Sequence, residues 1–441
     1  MAIEREEDKE YLKTLLEKVH GEDFGSREYE EVENRNPYQR DYARIMYSPS
    51  FRRLQGKMQI LGIDNTAFFR NRLTHSMEVS QIATSILLLL YNHINGGKSI
   101  PIMDYLVLEA AALAHDIGHP AFGHSGERVL SSLGSRYGLR FEGNAHNFRV
   151  LRTIEKKLPT QKGLNLTFRT LLAINKYIID EDQPDSKGNL AEKFMFKDDY
   201  NHLMEFRKKQ GIERERTIDV QIIELADDIA YAVHDLEDGL SSRAFNIDEL
   251  IYTLKQQQVS YIEDFENIVK TAREEATKSC SYRTNQEYSQ VFRQTLTSLF
   301  VKLLLSDLSL ESPSDKDIEK RGISKDVKEI SLGKYENLCT TISKQIFKCI
   351  TREPNIAIYE ARGRKVITDL FELFTNQESN KKGMLFPPDF RVELDKAGSW
   401  EQSRAYAQAA IDYIAGMMDD YAKSLYKHYF KTDFDEIDFR L

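Results

Sequence analysis

Proline and cysteine are scarce in this sequence of 441 residues, and each scarcity excludes a class of protein. Only 10 prolines interrupt the chain, which favours helices and argues against a collagen-like or wholly disordered protein. The three cysteines, Cys280, Cys339 and Cys349, are odd in number and form no CxxC pair. A disulfide framework is therefore not expected, and free thiols fit a reducing compartment.

Long apolar runs and an excess of one charge sign are also missing. The strongest apolar run, 86–90, is far shorter than a membrane span, and the N-terminus lacks the apolar core of a signal peptide. The 61 basic and 70 acidic residues give a net charge of −9, so the molecule as a whole does not attract DNA or anionic membranes. We expect a cytoplasmic protein without a membrane partner, in which an anionic substrate would meet a local basic pocket.

Strict two-residue alternation is hard to find, whereas apolar residues recur at i, i+3, i+4 and i+7 over many segments. The sequence therefore predicts a mainly α-helical, all-α fold. The clearest predicted helices run from Thr74 to Gly96, from Asp104 as N-cap to Gly118, through 124–130, and from Ile218 to a stop at Gly239.

Two segments, 180–189 and 307–322, are rich in Asp, Ser and other turn residues, and they are predicted to be loops or insertions. The coarse division that follows is an N-terminal segment 1–39, a helix-rich core 40–270 and a helical C-terminal region 271–441.

Six of the ten histidines lie between positions 75 and 146. An isolated helical histidine such as His93 is ordinarily a packed or surface residue. The run 115–119, His-Asp-Ile-Gly-His, is different, because His124 and Glu127 follow it within one or two turns. Chance is a poor account of this density of metal ligands and acid–base groups.

One interpretation of this density is a metal site. His115 and Asp116 are about 100° apart around a helix, so both reach one ion only near the helix end, where Gly118 places them. His75, near the start of the preceding antiparallel helix, is predicted to face them. Two imidazoles with carboxylates suit a borderline divalent ion such as Mn, Fe, Ni or Zn. A fourth, acidic ligand is expected from the helix 218–238.

The carboxylates available on that helix are Asp227, Asp228 and Asp235. The helix is apolar enough to be largely buried, so its carboxylates need partners. Salt bridges to arginines would serve as well as a metal ion, and the residues alone leave both interpretations open.

Five blocks of sequence narrow the interpretation. They are Arg-Leu-Thr-His-Ser (72–76), His-Asp-Ile-Gly-His-Pro-Ala-Phe-Gly-His-Ser-Gly-Glu (115–127), Phe-Glu-Gly-Asn-Ala (141–145), Asp-Asp-Ile-Ala-Tyr (227–231) and Asp-Tyr-Ile-Ala-Gly-Met (412–417). In this order they resemble the bacterial deoxyguanosine triphosphate triphosphohydrolases, a family of HD-domain metal-dependent phosphohydrolases. The animal dNTP triphosphohydrolase with a sterile-alpha-motif is a more distant relative. The resemblance implies an HD-domain helical core with additional C-terminal helices that complete the pocket.

The resemblance also implies a divalent metal ion, with Mn or Mg as the first choice and Fe, Ni, Zn or Co as alternatives. The implied ligands are His75, His115, Asp116 and Asp227. Asp227 is preferred to Asp228 because Asp227, Tyr231 and Asp235 stand at i, i+4 and i+8, on one face of a helix.

Substrate contacts are implied in the same way. Tyr231 matches a residue at the sugar, Asp235 and Gln59 match residues at its 3′-hydroxyl, and Ile60 matches a residue at the base. The residues implied to hold the triphosphate are Arg72, Lys176, Tyr177 and Lys193, with Lys197 as an alternative to Lys193. Arg362, Arg364 and Lys365 could contribute from another part of the chain or from another subunit, but they are more simply explained as surface charges.

The catalytic residues implied by the resemblance are His124 and Glu127, acting at the α-phosphate, and His119, which lines the phosphate path. A histidine oriented by a carboxylate has the geometry of a general acid or base. His146 stands where many relatives have glutamine, and it is either a polar pocket residue or a histidine on a helix surface.

The implied activity is hydrolysis of a deoxynucleoside triphosphate, dGTP first, to the deoxynucleoside and inorganic triphosphate. The alternatives are another HD-domain phosphohydrolase, acting on cyclic nucleotides, cyclic dinucleotides or guanosine tetraphosphate, and a nucleotide sensor or regulator without turnover. A homo-oligomer, tetramer or hexamer, and a nucleotide or single-stranded DNA effector are expected from the resemblance alone.

Overall fold

The protein is described by a computed structural model that covers residue 3 and residues 5–29, 35–59, 70–96, 100–156, 161–279, 281–352, 354–394 and 399–439. Ile60 and Cys280, which the sequence singles out, lie outside the described residues. Cys339 and Cys349 are both free, in agreement with the prediction of no disulfide framework.

The described residues form nineteen α-helices and one two-stranded sheet, which confirms the mainly helical fold class. The first ten helices are α1 (Glu6–Lys18), α2 (Pro37–Met46), α3 (Pro49–Arg53), α4 (Arg72–Asn95), α5 (Ile102–Ala114), α6 (Gly123–Ser135), α7 (Gly143–Arg149), α8 (Phe168–Ala173), α9 (Lys197–Gln210) and α10 (Ile218–Ser242). The others are α11 (Ile247–Gln256), α12 (Ile262–Ser279), α13 (Asn285–Leu305), α14 (Asp315–Arg321), α15 (Glu336–Thr351), α16 (Pro354–Thr375), α17 (Pro388–Leu394), α18 (Ser399–Ala415) and α19 (Asp419–Phe430). The strands β1 (Leu308–Glu311) and β2 (Glu329–Leu332) pair antiparallel.

α4 ends as predicted and begins two residues earlier than predicted. Gly96 ends it in the left-handed conformation, with φ of 63°. At its start the N-cap is Asn71, whose side chain accepts a hydrogen bond from the Thr74 amide at 3.0 Å. The Thr74 hydroxyl accepts one from the Asn71 amide in return. This capping box brings Arg72 into the helix, one turn before His75.

α5 begins at Ile102, and Asp104 is not its N-cap. The Asp104 carboxylate is fully buried, accepts hydrogen bonds from His20 at 2.9 Å and Tyr91 at 2.6 Å, and lies 2.8 Å from Arg169. A buried carboxylate is stabilised more by charged and hydroxyl partners than by one backbone amide, which is why the predicted cap is wrong.

The predicted stop at Gly239 is also wrong, because α10 continues to Ser242 and Arg243 takes the left-handed conformation instead. A Cβ atom at Gly239 would lie 2.3 Å from a ring carbon of Phe245. The glycine therefore permits close packing at this position and does not end the helix.

The segment 307–322 is wrong as a predicted loop, since it contains β1 and α14. These elements have only four and seven residues, too few for apolar periodicity to reveal. The segment 180–189 is irregular, as predicted, with isolated bridges at Asp180 and Pro184.

Buried apolar side chains form two clusters. The first is built around α1, α2, α4, α5, α8, α10–α13 and α15, and the second joins α6 to α16, α18 and α19. The histidine-rich turn 115–122 connects them, because Ile117 belongs to the first cluster and Phe122 to the second. The domain division at 1–39, 40–270 and 271–441 stays a prediction.

Among the described helices, α4 alone is long and apolar enough to pass a length-and-composition test for a membrane span. It packs against α5 and α10, and 44% of the tested window is buried inside the protein. Core helices of folded domains pass the same test, so the result is weak evidence for a span.

Candidate active site

Three helices bring two histidines and a carboxylate together. His75 lies in the first turn of α4, His115 directly follows α5, and Asp227 lies in the middle of α10. The His75 Nε2 atom is 3.0 Å from Asp227 Oδ1, and the His115 Nε2 atom is 3.5 Å from the same oxygen. All three residues are buried, with their ligand atoms within 4.8 Å of one another.

The chemistry of this cluster fits a divalent metal ion. The His115 Nδ1 atom lies 2.6 Å from the Ala112 carbonyl oxygen, to which it donates, while the buried Nε2 atom has no hydrogen-bond partner among the residues that the structure describes. A lone pair on that nitrogen, next to a second imidazole and a carboxylate, is a typical donor set for a borderline metal. Lys176 binds the other oxygen of Asp227 at 2.7 Å, which leaves Oδ1 directed at the histidines.

Asp227 is held in its ionised form. Burial raises the pKa of its carboxyl, but Lys176 and His115 act in the opposite direction and hold the pKa well below the usual value. A deprotonated carboxylate is the form that binds metal.

Asp116, the fourth predicted ligand, lies at the edge of the cluster. Its Oδ1 atom is 3.8 Å from His115 Nε2 and 3.1 Å from His119 Nδ1, and its Oδ2 atom accepts a hydrogen bond from Arg72 at 2.6 Å. Burial opposes ionisation, but Arg72 and the two histidines hold the pKa of Asp116 well below its usual value. We call His75, His115 and Asp227 together the metal cluster. Asp116 therefore links the metal cluster to Arg72 and His119.

His124 and Glu127 stand in the first two turns of α6. The His124 Nδ1 atom is 3.1 Å from Glu127 Oε2, and Glu127 Oε1 accepts a hydrogen bond from the Gly143 amide at 2.9 Å. The His124 side chain is 56% exposed, whereas that of Glu127 is 14% exposed. Burial raises the pKa of Glu127, but His124, His119 and Lys193 outweigh it and lower the pKa far below its usual value. An ionised carboxylate thus orients an accessible imidazole, as acid–base catalysis requires.

His119 connects this pair to the metal cluster. Its ring centroid lies 6.0 Å from that of His124. His119, His124 and Glu127 also have their ligand atoms within 4.8 Å of one another, a spacing that a metal ion could use. Both oxygens of Glu127 are already bonded, and Lys193 lies 4.0 Å away, so the arrangement favours an acid–base pair over a second ion.

The predicted phosphate-binding cations lie next to these groups. Arg72 is 1% exposed and bound to Asp116, and Lys193 donates to Glu142 Oε1 at 2.6 Å. Tyr177 is buried with its ring 6.0 Å from the Lys193 Nζ atom. Lys197 is exposed and pairs with Asp182 instead, so the structure places Lys193 at the site and Lys197 away from it.

The predicted sugar-contacting residues extend along α10 from the metal cluster. The Tyr231 ring centroid lies 4.9 Å from that of His75. Asp235 is buried one turn further on, where burial and nearby Asp238 raise the pKa of its carboxyl well above the usual value. Gln59 is buried as well, and its Oε1 atom has no hydrogen-bond partner among the described residues.

His146 is a buried residue that contacts the backbone of the turn 115–122, and it is not a surface histidine. It is 1% exposed, its Nδ1 atom lies 2.9 Å from the Gly118 carbonyl oxygen, and its Nε2 atom lies 3.5 Å from Asp412 Oδ1. Arg149 binds the same carboxylate at 2.6 Å.

The three C-terminal cations have partners outside the metal cluster. Arg362 pairs with Asp435 at 2.8 Å and Lys365 with Asp369 at 2.9 Å. Arg364 reaches the Ser125 hydroxyl at 3.2 Å, on the helix that carries His124.

Sequence reasoning missed Lys57. This lysine is 1% exposed and donates to the carbonyl oxygens of His119 and Ala415. Burial, with Arg53 and Arg72 nearby, lowers its pKa to about 7. No sequence signal could reveal it, because the two partners are 62 and 358 residues away along the chain.

Comparison with known proteins agrees with this geometry. Residues 72–232 match the HD domain family, and residues 334–428 match the phosphohydrolase-associated domain. The first match contains all four predicted metal ligands, and the second contains Asp412 and Asp419.

Relatives match nearly the whole chain. The chain is 39% identical over 410 residues to the deoxyguanosinetriphosphate triphosphohydrolase-like protein 2 of Vibrio cholerae, covering 92% of each protein. It is 31% identical over 466 residues to the deoxyguanosinetriphosphate triphosphohydrolase-like protein of Shewanella oneidensis, covering 95% of this chain and 98% of the relative. The chain therefore belongs to the family of deoxyguanosinetriphosphate triphosphohydrolase-like proteins and is an HD-domain phosphohydrolase.

Proposed function

We propose that this protein hydrolyses a deoxynucleoside triphosphate, with dGTP as the first candidate, to the deoxynucleoside and inorganic triphosphate. The observation that carries the proposal is the direct connection between two groups of residues. Asp116 and His119 link the metal cluster to the His124–Glu127 pair. Arg72, Lys176 and Lys193 lie around this connection, where a polyphosphate needs positive charge.

Under this proposal His75, His115, Asp116 and Asp227 hold a divalent ion, with Mn or Mg first and Fe, Ni, Zn or Co as alternatives. Such an ion, when bound, polarises a phosphate oxygen and lowers the pKa of a bound water.

The protein's own groups supply the remaining chemistry. Water attacks the α-phosphorus and the bond from phosphorus to the 5′-oxygen breaks, so the deoxynucleoside leaves with its 5′-oxygen and the inorganic triphosphate keeps the oxygen of the water. His124, oriented by Glu127, takes a proton from the attacking water or gives one to the departing 5′-oxygen, and His119 lines the phosphate path. The cations Arg72 and Lys193 offset the negative charge that grows on the phosphate oxygens.

Selection of a deoxynucleoside is proposed for the other end of the site. Gln59 and Asp235 would engage the 3′-hydroxyl, because the buried Gln59 Oε1 atom has no partner in the described part of the chain and a buried acceptor gains most from a matching donor. Tyr231 would press against the sugar, and Ile60 would contact the base.

Family membership supports three further proposals. The protein would act in the cytoplasm, would assemble as a homo-oligomer, tetramer or hexamer, and would respond to a nucleotide or single-stranded DNA effector.

Phosphorus NMR of the reaction products tests the proposed activity. Each of the four dNTPs is incubated with the Mn- or Mg-loaded protein, and cyclic nucleotides and guanosine tetraphosphate are run in parallel. Inorganic triphosphate together with a free deoxynucleoside is the expected result. Release of a nucleoside monophosphate with pyrophosphate, or turnover of the parallel substrates alone, would favour the other HD-domain activities. The Asp227→Ala variant serves as the control for contaminating phosphatases.

A further inference from the structure

The backbone of the turn 115–122 is held at three points by groups far away in sequence. The Gly118 carbonyl oxygen meets His146, the His119 carbonyl oxygen meets Lys57, and the Phe122 amide donates to Asp419. All three anchors lead to one short segment. This segment is 412–419. His146 lies beside Asp412, at its first position, and Lys57 also binds the Ala415 carbonyl oxygen. Asp419 is the last residue of the segment.

Asp419 is the anchor whose hydrogen bonds reach backbone amides next to predicted site residues. It is 0% exposed and lies at the first position of α19. Its Oδ1 atom accepts a hydrogen bond from the Phe122 amide at 3.1 Å. Its Oδ2 atom accepts from the Met58 amide at 3.3 Å and from the Tyr359 hydroxyl at 3.0 Å.

The two amides are adjacent to predicted functional residues. Met58 directly precedes Gln59, and Phe122 precedes His124 by two residues. Phe122 is a non-glycine residue in the left-handed region, with φ of 60°, and Gly123 follows with φ of 58°. Such a conformation is disfavoured for a side-chain-bearing residue, so it persists only where surrounding contacts fix it.

The Phe122 ring is also held by α16. A Cβ atom at Gly363 on α16 would lie 2.5 Å from a ring carbon of Phe122, so the ring packs directly against that helix. The amide bond to Asp419 and the ring contact together determine how α6 leaves the turn, and α6 carries both His124 and Glu127.

We propose that Asp419 is a positioning residue of the active site. Through its hydrogen bonds to the amides of Phe122 and Met58, it fixes the position of the His124–Glu127 pair, called the catalytic pair here, relative to Gln59. This inference rests on the proposed function. It gives a role to a residue that follows the last sequence block, 412–417, by two positions and contributes no side chain to the metal cluster or to the His124–Glu127 pair.

Asp419→Asn tests the inference in the full-length, metal-loaded protein. The amide group keeps the size of the side chain but replaces one acceptor oxygen with a donor, so it cannot serve both backbone amides. We expect kcat for dGTP to fall roughly 10–100-fold, because small misplacements of catalytic groups cost rate steeply. Metal content is expected to be unchanged, and the preference for dGTP over dideoxy-GTP should narrow because Gln59 is displaced.

Two variants are matched controls. Asp307→Asn alters another buried aspartate that accepts a backbone amide, from Tyr335 at 2.8 Å, away from the site. It should lower thermal stability without changing kcat. Tyr359→Phe removes the hydroxyl partner of Asp419 and leaves both amide bonds in place, so it should change kcat far less than Asp419→Asn.

Hydrogen exchange provides a readout that does not depend on turnover. Amide exchange in peptides covering 57–59 and 119–124 should become faster in Asp419→Asn and stay as in the wild type in Asp307→Asn. Wild-type kcat in a metal-loaded Asp419→Asn protein would overturn the inference, and so would unchanged exchange at both peptides. If the wild type hydrolyses no dNTP, the proposed function fails, and the exchange result alone decides whether Asp419 positions these segments.

Discussion

At the scale of single residues, Asp227 and Asp228 are neighbours in sequence with opposite surroundings. Asp227 is buried in the metal cluster, whereas Asp228 is exposed and lines a separate cavity with Arg216, Glu224 and Cys339. Asp227→Ala should therefore lose bound metal and turnover, and Asp228→Ala should keep most of its metal. Metal content of the purified variants, measured by inductively coupled plasma mass spectrometry, distinguishes them. Equal loss in both would show that Asp227 is not the specific ligand.

The His124–Glu127 pair should affect rate without affecting metal. His124 lies outside the metal cluster and its ring is accessible, so His124→Ala and Glu127→Ala are expected to retain metal and bind substrate. A positioned acid–base group contributes roughly 10²–10⁴-fold to rate, which is the expected loss in kcat. Steady-state kinetics together with metal analysis measures this. Near-normal kcat with a raised KM would remove the pair from the chemical step.

Sugar selection is expected to depend on Tyr231 and Asp235. Tyr231 packs against His75, and under the proposed function its ring would exclude a 2′-hydroxyl from the sugar position. Tyr231→Ala should lower overall activity and narrow the ratio of kcat/KM between dGTP and GTP. Dideoxy-GTP should be a poor substrate for the wild type, because losing the 3′-hydroxyl leaves buried groups unpaired, at a cost of about 1–3 kcal/mol. In Asp235→Asn that penalty should shrink. An unchanged dGTP-to-GTP ratio in the tyrosine variant would place sugar selection elsewhere.

At the scale of elements, Gly118 sets how closely the end of α5 approaches α7. A Cβ atom there would lie 2.2 Å from the Asn147 amide nitrogen and 2.4 Å from the Gly143 carbonyl oxygen, both of which are backbone atoms that cannot rotate away. Gly118→Ala should therefore lower the melting temperature and displace His115, with loss of bound metal. Gly21→Ala is the matched control, since its nearest neighbour would be a ring carbon at 3.5 Å, an ordinary contact. Calorimetry and metal analysis of both variants test this; wild-type values for Gly118→Ala would contradict it.

The features that could be predicted from the sequence are those that depend on residues close together along the chain. Asp227, Tyr231 and Asp235 share one helix, so their spacing alone places them on one face, and the structure does bring His75 next to both Asp227 and Tyr231. Repeated apolar spacing likewise revealed the long helices. The roles assigned to these residues stay predictions.

The anchors of the turn could not be predicted, because they depend on tertiary contacts. The Asp419 carboxylate and the Phe122 amide are 297 residues apart in sequence, and nothing local marks either as a partner of the other. The wrong N-cap prediction for Asp104 has the same reason, because its partner His20 is 84 residues away in sequence and Arg169 lies on another helix, α8. Short elements such as β1 could not be predicted either, because four residues are too few to show a periodic pattern of apolar residues.

At the scale of the whole molecule, the site lies where the two apolar clusters meet. The predicted metal ligands lie on or next to helices of the first cluster, α4, α5 and α10, whereas the His124–Glu127 pair is carried by α6 of the second. Lys57, Asp412 and Asp419 connect the two across the turn 115–122. Under the proposed function, relative movement of the two clusters would change the distance between the metal ligands and the His124–Glu127 pair.

Metal removal should consequently destabilise the whole molecule slightly without unfolding it. In the metal-free protein Asp227 still has Lys176 and His75 as partners, so no buried charge is left alone. A ligand at 100 times its Kd stabilises the native state by about 2.7 kcal/mol. With an unfolding entropy of about 2.1 cal/mol/K per residue, this corresponds to a rise in Tm of roughly 3 °C for a chain of this size.

Differential scanning calorimetry with a metal titration after chelation measures that rise. The same titration of Asp227→Ala should show no shift, because the carboxylate at the centre of the cluster is missing, and Asp228→Ala should shift as the wild type does. A metal-dependent rise that survives in Asp227→Ala would mean that the stabilising ion binds elsewhere. Outright unfolding of the wild type on chelation would show instead that Lys176 and the histidines do not compensate Asp227 in the metal-free state.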